Sequence, residues 1–257
     1  MKLGVCFSAR QTGRIAIAKE AGFDYVEVSI SEMSDMSRKE IDIFKQALGD
    51  NGIPCEAANC FIKGENKVVG KTVDYNAIIE YLHKVLPIAF DIGIKTIVFG
   101  SGGSRNREDD FPEDEAYRQV TAFLRDYAGP ECAKYGVRIA VEPLVHWASK
   151  MIHTVEEAVC LSQDCALDNV KALADLFHMY ENGDDVANIL KYNNQIIHSH
   201  IANPPKRRFP LRAEEFDYKS FLDNLKSVGC ERCSIESGTD DFEADAKAAF
   251  KVLNSLR

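Results

Sequence analysis

No apolar run in this sequence approaches the ~20 residues a helix needs to cross a bilayer, so no membrane partner is expected. Basic residues are in deficit: 31 Lys and Arg stand against 40 Asp and Glu, for a net charge of −9. A surface of that sign repels phosphate backbones and argues against a general nucleic-acid binder. The one basic cluster, Lys206-Arg207-Arg208, is short and local. The opening MKLGVCFSAR runs straight into a strand pattern without a signal-peptide shape, so the expected compartment is the cytoplasm. Eight cysteines fit reduced thiols there. Cys230 and Cys233 form a lone CxxC with no second pair and no suitably spaced histidine, so they read as packed small hydrophobes rather than a zinc ribbon. The first strand-to-helix turn, FSARQTG, lacks the GxGxxG cradle of a nucleotide fold, so no nucleotide cofactor is expected.

What is present is alternation. Strand-like stretches at 3–8, 25–30, 54–61, 96–102, 138–144, 170–177, 196–202 and 232–237 are each followed by a helical pattern. Glycines 22, 52, 93, 136 and 229 stand where a helix should stop before a strand, and Ser37 is placed as an N-cap. Eight β–α units over 257 residues with no linker predict an α/β fold, a single-domain (β/α)8 TIM barrel spanning 1–257. A doubly wound open sheet is the alternative, disfavoured by the missing phosphate cradle.

In such a barrel chemistry sits at the C-terminal ends of the strands. There the last four strands deliver Glu142 (AVEPL), Asp175 (LADLFH), His200 (HSHIAN) and Glu236 (SIESG). Each lies two residues beyond another inward position: Ala140, Leu173, His198 and Ser234. Three carboxylates crowded in a low-dielectric mouth repel one another, and a divalent cation relieves that repulsion. Oxygen ligands plus one imidazole suit Mn²⁺, Mg²⁺, Co²⁺ or Zn²⁺. Taken singly, each residue has a plainer reading: a solvated rim glutamate, a hydrogen-bonded core histidine, an aspartate capping the next loop. The set at equivalent positions of adjacent strands is what points to a metal.

Through AGFDYVEV, GIKTIVFGSGGSRN, VRIAVEPL, DLFHM and HSHIAN the chain resembles the xylose-isomerase-like barrels. Within them it is most similar to the sugar isomerase and epimerase branch of the D-tagatose 3-epimerase and D-psicose 3-epimerase type. The resemblance implies one divalent metal, often manganese, held by Glu142, Asp175, His200 and Glu236. It implies Glu142 and Glu236 as an acid/base pair on opposite faces of a sugar or sugar phosphate, and His178 as a substrate contact. It also implies a homodimer or homotetramer. The pattern departs from that branch at Ala148, where a sugar-contacting glutamate is usual, and at His153, where asparagine is usual. The segment after His200 is shorter, leaving Arg207, with Arg208 beside it, as the candidate substrate arginine.

Smaller signals have two readings each. Lys206–Arg208 reads as an anion grip or a solvated loop. GSGGSRN (100–106) reads as an anion nest or as a turn needing glycine conformations. His146, Trp147, Cys60 and Phe7 read as pocket wall or as local packing. Rival functions on the same barrel are an inosose dehydratase-type lyase, a hydroxypyruvate isomerase and a non-catalytic sugar-binding barrel. A three-zinc apurinic endonuclease is disfavoured, because Asn59-Cys60 and Ser101-Gly102 stand where its extra histidines are needed.

Overall fold

Strand starts are set by where valine and isoleucine runs emerge from glycine stops, and the computed structural model, which describes residues 1–257, has them within one residue of expectation. The strands are β1 Lys2–Cys6, β2 Tyr25–Ser29, β3 Cys55–Asn59, β4 Thr96–Phe99, β5 Arg138–Val141, β6 Val170–Asp175, β7 Ile196–Ile201 and β8 Arg232–Ile235. They pair in parallel and in sequence order, and β8 returns to β1 to close the barrel. Between and after them run α1 Gly13–Ala21, α2 Arg38–Asn51, α3 Tyr75–Ile92, α4 Glu113–Ala122, α5 Val155–Asp164, α6 Leu176–Asn182, α7 Tyr218–Ser227 and α8 Phe242–Leu256. Ser37 caps α2 in a reciprocal capping box with Glu40. Gly22 and Gly93 close α1 and α3 at φ 107° and 98°, a region open to glycine at no steric cost.

The strands end one to three residues earlier than the sequence suggests: β2 and β6 pass directly into helices, and Cys60 and Ser101 turn the chain after β3 and β4 with left-handed φ. After β5 the next residues are Glu142 and Pro143, and proline has no N–H to give the ladder. The helix expected at 184–193 (DDVANILKYN) is a tight 3₁₀ stretch, Val186–Lys191. The true α-helix, α6, starts earlier, directly at the end of β6, because Asp175 caps it with its own carboxylate. The long helix expected after β4 is interrupted by a π-type stretch, Phe123–Ala128, ahead of Pro130, which cannot donate to the turn before it.

Between barrel and helices lies one cluster of 69 buried apolar residues. Inside the barrel the filling is uneven. Val98, Ala140 and Leu173 form an apolar plug on the β4–β6 side. On the opposite side Tyr25, Glu27, His198 and Ser234 are all fully buried and polar. Gly4 makes room for them, since a Cβ there would come within 2.4 Å of the Tyr25 ring.

Candidate active site

The four expected ligands converge at the C-terminal mouth. His200 ends β7 in register with Asp175 of β6 and Ser234 of β8. Its Nδ1 lies 3.1 Å from Glu142 Oε1, 3.4 Å from Glu236 Oε2 and 3.9 Å from Asp175 Oδ2. One ligand atom from each of the four residues falls within 4.8 Å of the others.

Each member is aimed by its own element. Asp175 divides its carboxylate: Oδ1 accepts from the N–H groups of Phe177 and His178 at 2.7 and 3.2 Å, leaving Oδ2 to face the cage. The capping reading of this residue is met, and Oδ2 stays free of the cap. Arg105, fully buried, donates to the carbonyls of Phe99 and Glu142 at 2.9 and 2.5 Å and ties the end of β4 to the end of β5. Glu236 accepts from Asn59 Nδ2 at 2.8 Å and from Arg207 Nη2 at 2.5 Å.

The electrostatics favour added positive charge. Burial pushes the His200 imidazolium toward losing its proton, yet the charges of Glu236 and Glu27 and the contacts to Glu142 outweigh it and hold its pKa well above the ordinary value. Burial likewise raises Glu236, but His200 and Arg207 bring its carboxyl below the usual range. A largely buried, oxygen-rich cage with one imidazole fits a divalent cation by the chemistry of its donors.

The remaining candidates separate. His178 is buried with Nδ1 accepting from the Val145 N–H at 3.2 Å, so Nε2 carries the proton and faces Asp175 Oδ2 at 3.8 Å. Arg207 enters the site, with its guanidinium 4.8 Å from the centre of the Phe177 ring. Arg208 turns away onto Glu215, and Lys206 is exposed. Beside the cage is a cavity of about 550 Å³ whose wall includes Cys6, Phe7, Ser8, Glu32, Asn59, Arg207 and Glu236. Trp147 is 75% exposed and not part of that wall; His146 stacks on His153 at 3.8 Å instead. Cys60, at φ 52°, is also outside the wall, and Asn59 takes the place expected of it.

The GSGGSRN stretch is not a turn that needs glycine conformations. Its glycines have ordinary φ, and the left-handed residue is Ser101 at φ 40°. Gly100 is required for space: a Cβ there would sit 2.1 Å from Glu142 Oε2. Ser101 Oγ accepts from the Ile62 N–H at 2.9 Å, so the loop is occupied with its own closure.

Two site residues were missed from sequence, Glu27 and Asn59 in its role toward Glu236. Glu27 accepts from His198 Nε2 at 2.8 Å, His200 Nε2 at 2.9 Å and Ser234 Oγ at 2.6 Å. The signal was available: in YVEVS the valines alternate with Tyr25, Glu27 and Ser29, and the helix-facing side of a barrel strand must be apolar. The polar set therefore had to face inward.

Residues 15–256 match the family described as xylose isomerase-like TIM barrel. The chain belongs to that family. It is 24% identical over 233 residues to an L-ribulose 3-epimerase of Mesorhizobium japonicum, covering 89% of this chain and 75% of that protein. It is 23% identical over 248 residues to the 3-dehydro-D-guloside 4-epimerase of Escherichia coli, covering 93% and 91%. Among solved structures, a D-psicose 3-epimerase crystallised in the presence of D-fructose superposes with a TM-score of 0.86 at 18% identity, over 100% of this barrel and 99% of that chain. At that identity the superposition establishes the fold.

Proposed function

We propose that this barrel is a divalent-metal-dependent sugar epimerase or aldose–ketose isomerase. The observation that carries the reading is the placement of two glutamates, Glu142 of the β5 end and Glu236 of the β8 end, around one imidazole and one aspartate. Glu142, Asp175, His200 and Glu236 would hold the cation, Mn²⁺ being the preferred one. When bound, it supplies Lewis-acid polarisation of a substrate carbonyl, which makes the adjacent C–H acidic enough for a carboxylate. One glutamate takes the proton from the carbon next to the carbonyl, leaving an enediolate. The other returns a proton to the opposite face or to the neighbouring carbon. The relatives' names, two epimerases acting at different carbons, support the reaction class and leave the position on the sugar open.

The polar wall of Ser8, Glu32 and Asn59 suits hydroxyl groups, with Phe7 as an apolar face. His178 Nε2–H and Arg207 are the donors proposed to hold substrate oxygens. Only one of the three clustered basic residues enters the site, and it already faces Glu236 and Asp175. That arrangement favours a neutral sugar over a sugar phosphate. Eight unpaired thiols, five of them buried, suit a reducing cytoplasm, and no helix is long and apolar enough to cross a membrane.

The test is solvent exchange. The Mn²⁺-loaded protein is incubated in D₂O with pooled ketoses, aldoses, inososes and their phosphates, and NMR reports carbon-bound deuterium. Deuterium at C3 or C4 with a new epimer identifies an epimerase, and deuterium at C1 or C2 with a new aldose or ketose identifies an isomerase. Loss of water from an inosose would move the protein to the lyases. Bound metal with no exchange from any compound would replace the enzyme reading with a sugar-binding one.

A further inference from the structure

Glu27 belongs neither to the cage nor to the acid–base pair, yet it is fully buried and holds two histidines at once. We propose that Glu27 is a positioning residue for the metal centre: it holds the Nε2–H of His200 and so keeps Nδ1, the nitrogen left for a cation, aimed between Glu142, Asp175 and Glu236. The inference rests on the metal reading above and extends it to a residue outside the ligand set.

The geometry places a hydrogen on the Glu27-facing nitrogen of each imidazole. A carboxylate only accepts, so the imidazole nitrogen facing it must carry the hydrogen. Nε2 of His200 faces Glu27 Oε1 at 2.9 Å. Nδ1 faces Glu142 Oε1 at 3.1 Å and carries a hydrogen by the same rule while no cation is bound. A cation there would displace that hydrogen and take the Nδ1 lone pair, because Glu27 retains the one on Nε2. The opposite tautomer would set a nitrogen lone pair against the Glu27 oxygen in a water-free interior. His198 supports the assignment independently. Its Nε2 faces Glu27 Oε2 at 2.8 Å, and its buried Nδ1 has no partner. An N–H there would be an unmet donor, so His198 also carries its proton on Nε2. Ser234 spends its single hydrogen on Glu27 Oε2 at 2.6 Å and must accept from Tyr25 Oη at 2.7 Å. Tyr25, Ser234, His198 and His200 thus all direct donors along one network that ends on Glu27. A metal-bound histidine oriented through its other nitrogen by a carboxylate is a general means of fixing ligand direction and basicity.

The test uses ¹⁵N-histidine-labelled protein and two variants. Long-range ¹H–¹⁵N spectra of the wild type loaded with diamagnetic Zn²⁺ should show His200 protonated at Nε2 and bare at Nδ1. Glu27→Gln offers one acceptor and one donor to two imidazoles, so one ring must change tautomer or turn. Mn²⁺ affinity by calorimetry should fall about 10- to 100-fold, with circular dichroism unchanged. Ser234→Ala, which leaves both imidazoles facing Glu27, should fold and lose less than about tenfold. A Zn²⁺-loaded wild-type His200 with no proton on Nε2 would overturn the proposal whatever the variants do. So would equal Mn²⁺ affinity in Glu27→Gln and wild type. Wild type that binds no Mn²⁺, Co²⁺ or Zn²⁺ would overturn the metal reading itself, and this inference with it.

Discussion

Gly100 touches the chemistry without carrying any. Its missing side chain is the space Glu142 occupies, and the crowding on adding a methyl falls on the far end of a flexible carboxylate. Gly100→Ala should therefore fold, with ordinary φ and a melting temperature near wild type, while Glu142 is pushed out of line. Misplacing a reacting group by about 1 Å costs on the order of 100-fold, so kcat/KM on the substrate found by exchange should fall by about that factor. Unchanged kcat/KM would mean that Glu142 is not held where it reacts. Glu236→Gln tests the chemistry directly. It keeps the contact to Asn59 but removes a proton acceptor, and turnover should fall by about 10²- to 10⁴-fold with folding intact. Retained turnover would remove the two-glutamate mechanism. The four cage residues were legible in sequence because each ends an apolar strand at the same depth. Gly100 was not, since the need for space at Glu142 exists only once β4 and β5 lie side by side.

The loop after β7 shows why an element's role is harder to read than its existence. Sequence placed Lys206–Arg208 beside the site but could not say which side chain enters. The answer lies with Glu215, which accepts from Asn203 Nδ2 at 3.0 Å and the Leu211 and Arg212 N–H groups at 3.1 and 3.3 Å, and draws Arg208 outward. Arg207, at φ 44°, is then the residue turned inward. Burial raises the Glu215 carboxyl, but these hydrogen bonds and the Arg208 charge outweigh it, so its pKa lies below the ordinary value. A depressed carboxylate pKa contributes stability that is fully present above the unfolded value of about 4.3 and is lost as pH falls through the lower folded value. Hydrogen-exchange protection across 203–212 should hold at about pH 7 and drop in that acid window. In Glu215→Gln the loop should already be loosened by about 1–2 kcal/mol at neutral pH, with KM raised more than kcat is lowered. Equal protection in variant and wild type would show that the loop is held by something else.

At the scale of the whole barrel the fold was almost fully readable, because eight repeats of strand, helix and glycine stop admit few closures. What sequence did not reveal was how the interior divides into an apolar plug and a buried polar half, since that depends on which strands face each other across the axis. This division makes a prediction about metal removal. The large apolar cluster between barrel and helices contains none of the four cage residues. Stripping the metal with a chelator should therefore leave the circular dichroism spectrum intact while abolishing turnover. Stability should still fall, because a cation bound only to the folded state adds about 2.7 kcal/mol at a hundred times its Kd. For a chain of this size that corresponds to a melting temperature roughly 5–10 °C lower. Readdition of Mn²⁺ should restore both temperature and turnover. A melting temperature indifferent to chelator and to added Mn²⁺ would mean that the cage binds no cation tightly enough to matter. The repulsion among Glu142, Asp175 and Glu236 would then be balanced by Arg207 and a protonated His200 alone.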